Sequence, residues 1–196
     1  MLSLGQISGL LVILGVIPYL YEVFFRGVRP ERITWFIWTA ILAMSLFAQK
    51  GAGAEDSLWL MIGNVIACGI VFIASLFKGV GGFTKLDISC LTIAVSGVLI
   101  WQLSGNPLIA IFGSMIADFA GSLPTIKKAY IMPREEGATV YIFSLIASVI
   151  GFMAANFNDF AVYIFPIYLV LSNSSILTAK LLGHLRERQN SELDRA

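Results

Sequence analysis

Charge is scarce in this chain: 13 Lys and Arg and 12 Asp and Glu stand among 196 residues, or 13%. A soluble domain carries about a quarter charged residues. The net charge is only +1, so no excess of either sign points to nucleic acid or to an acidic partner. Histidine is nearly absent, with His184 alone near the C-terminus. Two cysteines, Cys68 and Cys90, lie inside apolar stretches and read as small buried hydrophobes rather than a disulfide or a metal site. There is no glycine-rich phosphate loop, no His/Cys ligand spacing and no serine nucleophile elbow. The expectation is therefore a chain with no catalytic residues, no metal and no cofactor.

What is abundant is hydrocarbon. At 58% hydrophobic, a chain of this size has more apolar surface than one soluble core could hide. A removable leader is not expected: no Lys or Arg precedes Arg26, the first apolar run is too long, and no small-residue cleavage site follows it. Runs long enough to approach a membrane span are Leu4–Phe25, Ile33–Ala48, Leu58–Phe77, Ile88–Leu103, Pro107–Tyr130, Thr139–Ala155 and Phe160–Leu182. Each is bounded by charges or breakers. Backbone groups in lipid must pair within their own segment, so helices are expected; the runs do not alternate as barrel strands would.

Seven spans segregate the positive charge. Arg26, Arg29, Arg32, Lys78, Lys85, Lys127, Lys128, Arg134, Lys180, Arg186, Arg188 and Arg195 fall on one side, and only Lys50 on the other. The positive-inside rule then places the N-terminus outside and the C-terminus in the cytoplasm. From His184 onward the charges alternate in sign, as in a frayed helix end or a disordered tag.

An internal repeat is visible. Gly15-Val-Ile-Pro18 in the first span matches Gly121-Ser-Leu-Pro124 in the fifth. Thr34–Ile41 in the second matches Thr139–Ile146 in the sixth, with Phe47 then matching Phe152. Trp59-Leu60 and Asn64 in the third match Tyr168-Leu169 and Asn173 in the seventh. One helix separates the two triplets, so both run in the same direction across the membrane. The expected organisation is a first triplet over 1–82, a linker helix over 83–106, a second triplet over 107–183 and a tail over 184–196.

On these landmarks the chain resembles the SWEET and PQ-loop superfamily of seven-span proteins, over nearly its whole length to about Leu182. The resemblance implies an all-α transmembrane fold of two parallel three-helix repeats joined by a linker helix, N-out and C-in. It also implies asparagines of the third and seventh spans facing a central pocket, here Asn64 and Asn173. The family's proline-glutamine pairs are half kept: Pro18 and Pro124 remain, but Tyr19 and Thr125 stand where the glutamines would be. Proline keeps the kink; the glutamine's side-chain hydrogen bonds have no counterpart.

Several side chains stand out for chemistry. Pro18 and Pro124 each remove a helical hydrogen bond and serve either as paired hinges or as static kinks. Asn64 and Asn173 suit neutral polar groups or act as interhelical glue. Trp38 and Phe143 could stack on a solute, whereas Trp35, Trp59 and Trp101 fit interfacial anchoring. Asp118, mid-way along the fifth span, is costly in lipid and marks a functional site by default, with proton coupling as its candidate role. Glu22 is placed to pair with Arg26 one turn on, Lys127 and Lys128 to snorkel, and Pro133–Glu136 to start the sixth helix.

The reading this gives is a transporter of a small neutral polar solute, sugars included, working by alternating access around a midplane pocket. Its partners are the bilayer and the solute, with self-association open, and an inner or plasma membrane is the expected home. A peptide-binding seven-helix receptor or sorting protein and a nicotinamide riboside-type uptake carrier are the alternatives. A retinal protein is disfavoured, because Lys180 lies too near the end of the last span.

Overall fold

The computed structural model describes residues 1–51, 53–82, 84–104, 107–155 and 160–193. Among these the chain is helical throughout: α1 (Leu4–Phe25), α2 (Arg32–Gly51), α3 (Leu58–Lys78), α4 (Lys85–Ser104), α5 (Pro107–Ile131), α6 (Thr139–Met153) and α7 (Phe160–Leu193). A short 3₁₀ turn, Pro133–Glu135, precedes α6. Three segments, Leu4–Phe25, Leu58–Lys78 and Val162–Glu192, are long and apolar enough to cross a membrane. The breakers at 105–106 and 156–159, Arg195 and the Trp101 side chain lie outside the described residues.

Local signals account for the ends. Ser3 caps α1 through a reciprocal pair with Gln6, which satisfies two of the amides a helix start leaves open. Pro18 and Pro124 sit inside α1 and α5 without ending either helix. The stretch from His184 continues α7 as helix to Leu193, the helix-end form of the two expected for it. Arg186 stacks 4.7 Å from the Tyr130 ring centroid and Arg134 pairs with Glu187 at 3.1 Å, tying that extension to α5 and the turn after it.

α3 packs between α1 and α2, and α7 between α5 and α6; α1 meets α6, α2 meets α5, and α4 lies mainly against α5. Exchanging α1 with α5, α2 with α6 and α3 with α7 maps these six-helix contacts onto themselves. Two glycine contacts between the triplets obey the same exchange: Gly15 of α1 lies on Phe143 of α6, and Gly121 of α5 on Ile37 of α2. Outward faces carry Leu14, Ile17, Ile73, Ile116, Ile146 and Leu171, an apolar surface larger than water-facing proteins show.

The loops gather at two ends. Val80 donates to Pro30 O and Arg29 N to Glu135 O, joining the connections α1–α2, α3–α4 and α5–α6 at one end. At the opposite end Ser3 and Gly5 bond Asp56, and Ala54 packs with Ala155 and Val162. Arg26, Arg29, Arg32, Lys78, Lys85 and Arg134 all lie at the first, which we call the basic end. Glu31 is buried there, accepting from Thr34 N at 3.1 Å, and its carboxylate fills the space beside Gly81 (φ +78°), where a Cβ would collide.

Burial holds the Glu31 carboxyl above the ordinary carboxylate range, and nearby Asp87 adds to this against the Thr34 amide and Lys128. The folded chain then keeps a proton that the unfolded chain has lost, so stability falls as pH rises above that range. Glu31→Gln, which keeps an acceptor for Thr34, is expected to flatten this slope in thermal unfolding measured across pH.

Candidate functional site

Midway along the bundle, α1, α2, α3, α5, α6 and α7 surround a small cavity of about 30 Å³, roughly the space of two water molecules. Its polar wall is Asn64, Asn173, Ser144, Ser172 and Asp118; its aromatic wall is Trp35, Trp38 and Tyr141; Val12, Leu42, Ala67, Cys68, Val140 and Leu169 complete it. Trp35 sits edge-on to Trp38 at 5.1 Å and stacks on Tyr141 at 6.3 Å.

Asn64 and Asn173 enter this cavity from α3 and α7 in the same way. Each donates an amide N–H to the carbonyl one turn back, Asn64 to Leu60 O at 2.9 Å and Asn173 to Leu169 O at 2.8 Å. Neither amide bridges two helices, so the glue alternative is not what the geometry contains. The amide oxygen and second N–H of each have no other protein partner among the described residues.

Asp118 is buried, 2% exposed. Tyr168 Oη donates to its Oδ2 at 2.6 Å, and Trp38 Nε1 to its main-chain oxygen at 3.1 Å. The acid and the indole therefore share one wall. Phe143, expected as a stacking face, instead covers Gly15 on the α1–α6 seam and is not part of the cavity lining. Two residues along a helix turn about 200°, and Tyr141 takes the inward position. Trp35, expected as an interfacial anchor, is buried at 2% and lines the cavity; Trp59, at 43% exposed, stays outward.

Below the aromatic wall, toward the basic end, lies a polar knot that the sequence did not announce. Glu136 is 1% exposed. Its Oε1 accepts from Tyr141 Oη at 2.8 Å and from Tyr19 Oη at 3.4 Å. Its Oε2 lies 2.6 Å from Lys128 Nζ, a charge pair without hydrogen-bond alignment. Lys128 donates to Arg29 O, and Lys180 to the carbonyls of Pro133 and Glu136. Three expectations change here. Lys128 is buried rather than snorkelling, while Lys127 is exposed. Pro133–Glu136 does not start α6: Pro133 and Glu136 turn into the bundle while Arg134 stays exposed. Glu22 accepts from Thr139 Oγ1 at 3.2 Å instead of pairing with Arg26, which lies over Tyr21.

Tyr19 and Thr125, the residues that follow the two helix prolines, also find partners. Tyr19 of α1 reaches Glu136 ahead of α6, and Thr125 of α5 donates to Thr34 Oγ1 of α2 at 3.0 Å. Both link one helix triplet to the other at the basic end. No family model matches the chain, and no curated protein or solved structure is significantly similar to it.

Proposed function

We propose that this chain is a seven-span membrane carrier related to the SWEET and PQ-loop superfamily, moving a small polar solute by alternating access. In this reading the N-terminus is outside and the basic end faces the cytoplasm, in a plasma or inner membrane, with α4 joining two parallel triplets. The observation that carries it is Asn64 and Asn173 entering one cavity from equivalent helices through the same backbone bond. An amide with a free acceptor and donor is suited to a polar solute, and a pocket at a repeat interface is where carriers of this plan bind. The exchange of neighbours about α3 and α7 supports the repeat, and the one-sided charge supports the orientation.

The cavity is too small for a sugar, so in this reading it must widen to admit one. Tyr19–Glu136, Thr139–Glu22, Arg29–Glu135 and Thr125–Thr34 join the triplets at the basic end, and all must part for that side to open. Pro18 and Pro124 lie one helical position before Tyr19 and Thr125, so hinges at these prolines would act directly on these links. Asp118 is the residue through which a proton would couple.

The test is thermal stabilisation of the detergent-purified protein across sugars, nucleosides, amino acids and short peptides. A ligand at about 100 times its Kd adds roughly 2.7 kcal/mol to a folded state that alone binds it. One solute class is expected to stabilise the protein, and Asn64→Ala or Asn173→Ala to abolish the effect. A peptide that stabilises without any solute flux in proteoliposomes would turn the reading to a receptor.

A further inference from the structure

Asp118 is the one formally charged side chain on the cavity wall among the described residues, and no Lys, Arg or His accompanies it. The ion pairs of the described residues all lie at the basic end: Arg29–Glu135, Lys128–Glu136, Arg134–Glu187 and His184–Glu187. The carboxylate thus has a hydrogen-bond donor in Tyr168 but no counter-charge, and an unpaired carboxylate in a low-dielectric site is costly. The same cavity is lined by the rings of Trp38, Trp35 and Tyr141, whose faces attract cations. A carboxylate, aromatic rings and amide oxygens lining one cavity form a donor-accepting, cation-attracting set. A neutral polyol brings no counter-charge to this carboxyl and gains nothing from it.

We propose that the solute carried in this cavity bears an ammonium group, which pairs with Asp118 against the Trp38–Trp35–Tyr141 wall while Asn64 and Asn173 hold its polar remainder. This rests on the carrier reading and narrows its solute from any small polar molecule to a cationic amine. A proton and the amine then compete for one carboxylate. An arriving ammonium displaces the proton from the Asp118 carboxyl to bulk water, and a returning proton releases the amine. The charge of the occupied site is the same either way, so the exchange is one cation for one proton. The titratable neighbours facing Asp118 are Tyr168 from α7 and Cys68 from α3; α2 presents Trp38, and α4 packs Cys90 against the neighbouring Ala117.

Matched pairs test the charge alone: glucosamine against glucose, and ethanolamine against ethylene glycol, each exchanging one ammonium for one hydroxyl. In the purified protein at neutral pH, one amine is expected to bind at least about tenfold tighter than its neutral partner, by thermal shift and calorimetry. Its affinity should weaken by up to about tenfold per pH unit on acidification, with one proton released per amine bound. Asp118→Asn should erase the preference and Asp118→Glu should retain it. If the asparagine variant fails to fold, the wild-type pairs still decide the matter. Equal or tighter binding of the neutral members, or binding of none of the four, overturns the inference. The carrier reading falls separately, if proteoliposomes show no counterflow of any solute that binds.

Discussion

Replacing Glu136 with leucine is expected to cost the folded protein about 3–5 kcal/mol, because it strands a buried lysine. The Glu136 side chain is fully buried and that of Lys128 4% exposed. Removing the acid also takes the acceptor from Tyr141 and Tyr19. The loss should appear as a markedly lower unfolding temperature in detergent. Lys128→Met, which strands the acid instead, should cost a similar amount. The double variant Glu136→Leu with Lys128→Met should recover much of the loss, since a buried pair replaced by apolar groups is often neutral. Single variants that unfold like the parent would mean that water reaches the pair and that the knot does not close the basic end. The expected size follows from burial, because the same pair on the surface would contribute under about 1 kcal/mol.

That knot also marks where the sequence stopped being legible. Helix limits were readable almost to the residue for α1, Leu4–Phe25, and α3, Leu58–Lys78, since uninterrupted apolar runs end where charge and breakers begin, whereas α7 runs past the expected Leu182 to Leu193 because its charged extension stays helical. Asn64, Asn173 and Asp118 were readable for the same reason, as polar side chains stand out against an apolar background. Glu136 has the opposite setting. It follows Pro133-Arg-Glu in a charged connection, and a charged connection looks solvated whether or not it folds back beneath a helix. Only the tertiary path of the chain buries it. The aromatic positions fail for another reason: Trp35 lies near a helix end, where anchoring is expected, and Phe143 stands only two residues from Tyr141 on the same helix. Both placements depend on helix phase, and a face shared by lipid and neighbouring helices is apolar all round, so the phase is not written in polarity. Buried Ser144 and Ser148 on α6, on the Tyr141 side, were the signal that could have set it.

Gly63→Ala is expected to destabilise the protein by about 1–3 kcal/mol, whereas Gly69→Ala, six residues on in the same helix, should be neutral or gain up to about 1 kcal/mol. A Cβ at Gly63 would stand 2.4 Å from Gly9 O and 2.7 Å from Gly9 Cα, while one at Gly69 meets nothing closer than Thr39 Cγ2 at 3.8 Å. Obstruction by main chain is relieved only by moving α1 off α3. The same kind of contact recurs inside each triplet: Gly9 lies on Trp59 O, and Gly183 of α7 on Tyr130 O at the end of α5. Between the triplets the glycines meet side chains instead, Gly15 on Phe143, Gly121 on Ile37 and Gly151 on Leu60. Side chains can change rotamer, and main chain cannot step aside. Each triplet is thus locked backbone to backbone, while the seam between them is lined by groups able to give, the distribution of stiffness that two bodies rocking about a shared cavity require. Thermal unfolding of Gly63→Ala and Gly69→Ala in detergent checks the first half. Gly15→Ala checks the second: a loss of solute flux with a smaller loss of stability than Gly63→Ala is the expected result. Equal destabilisation at Gly15 and Gly63 would mean that the seam is as rigid as the triplets and that the helices do not rock along it.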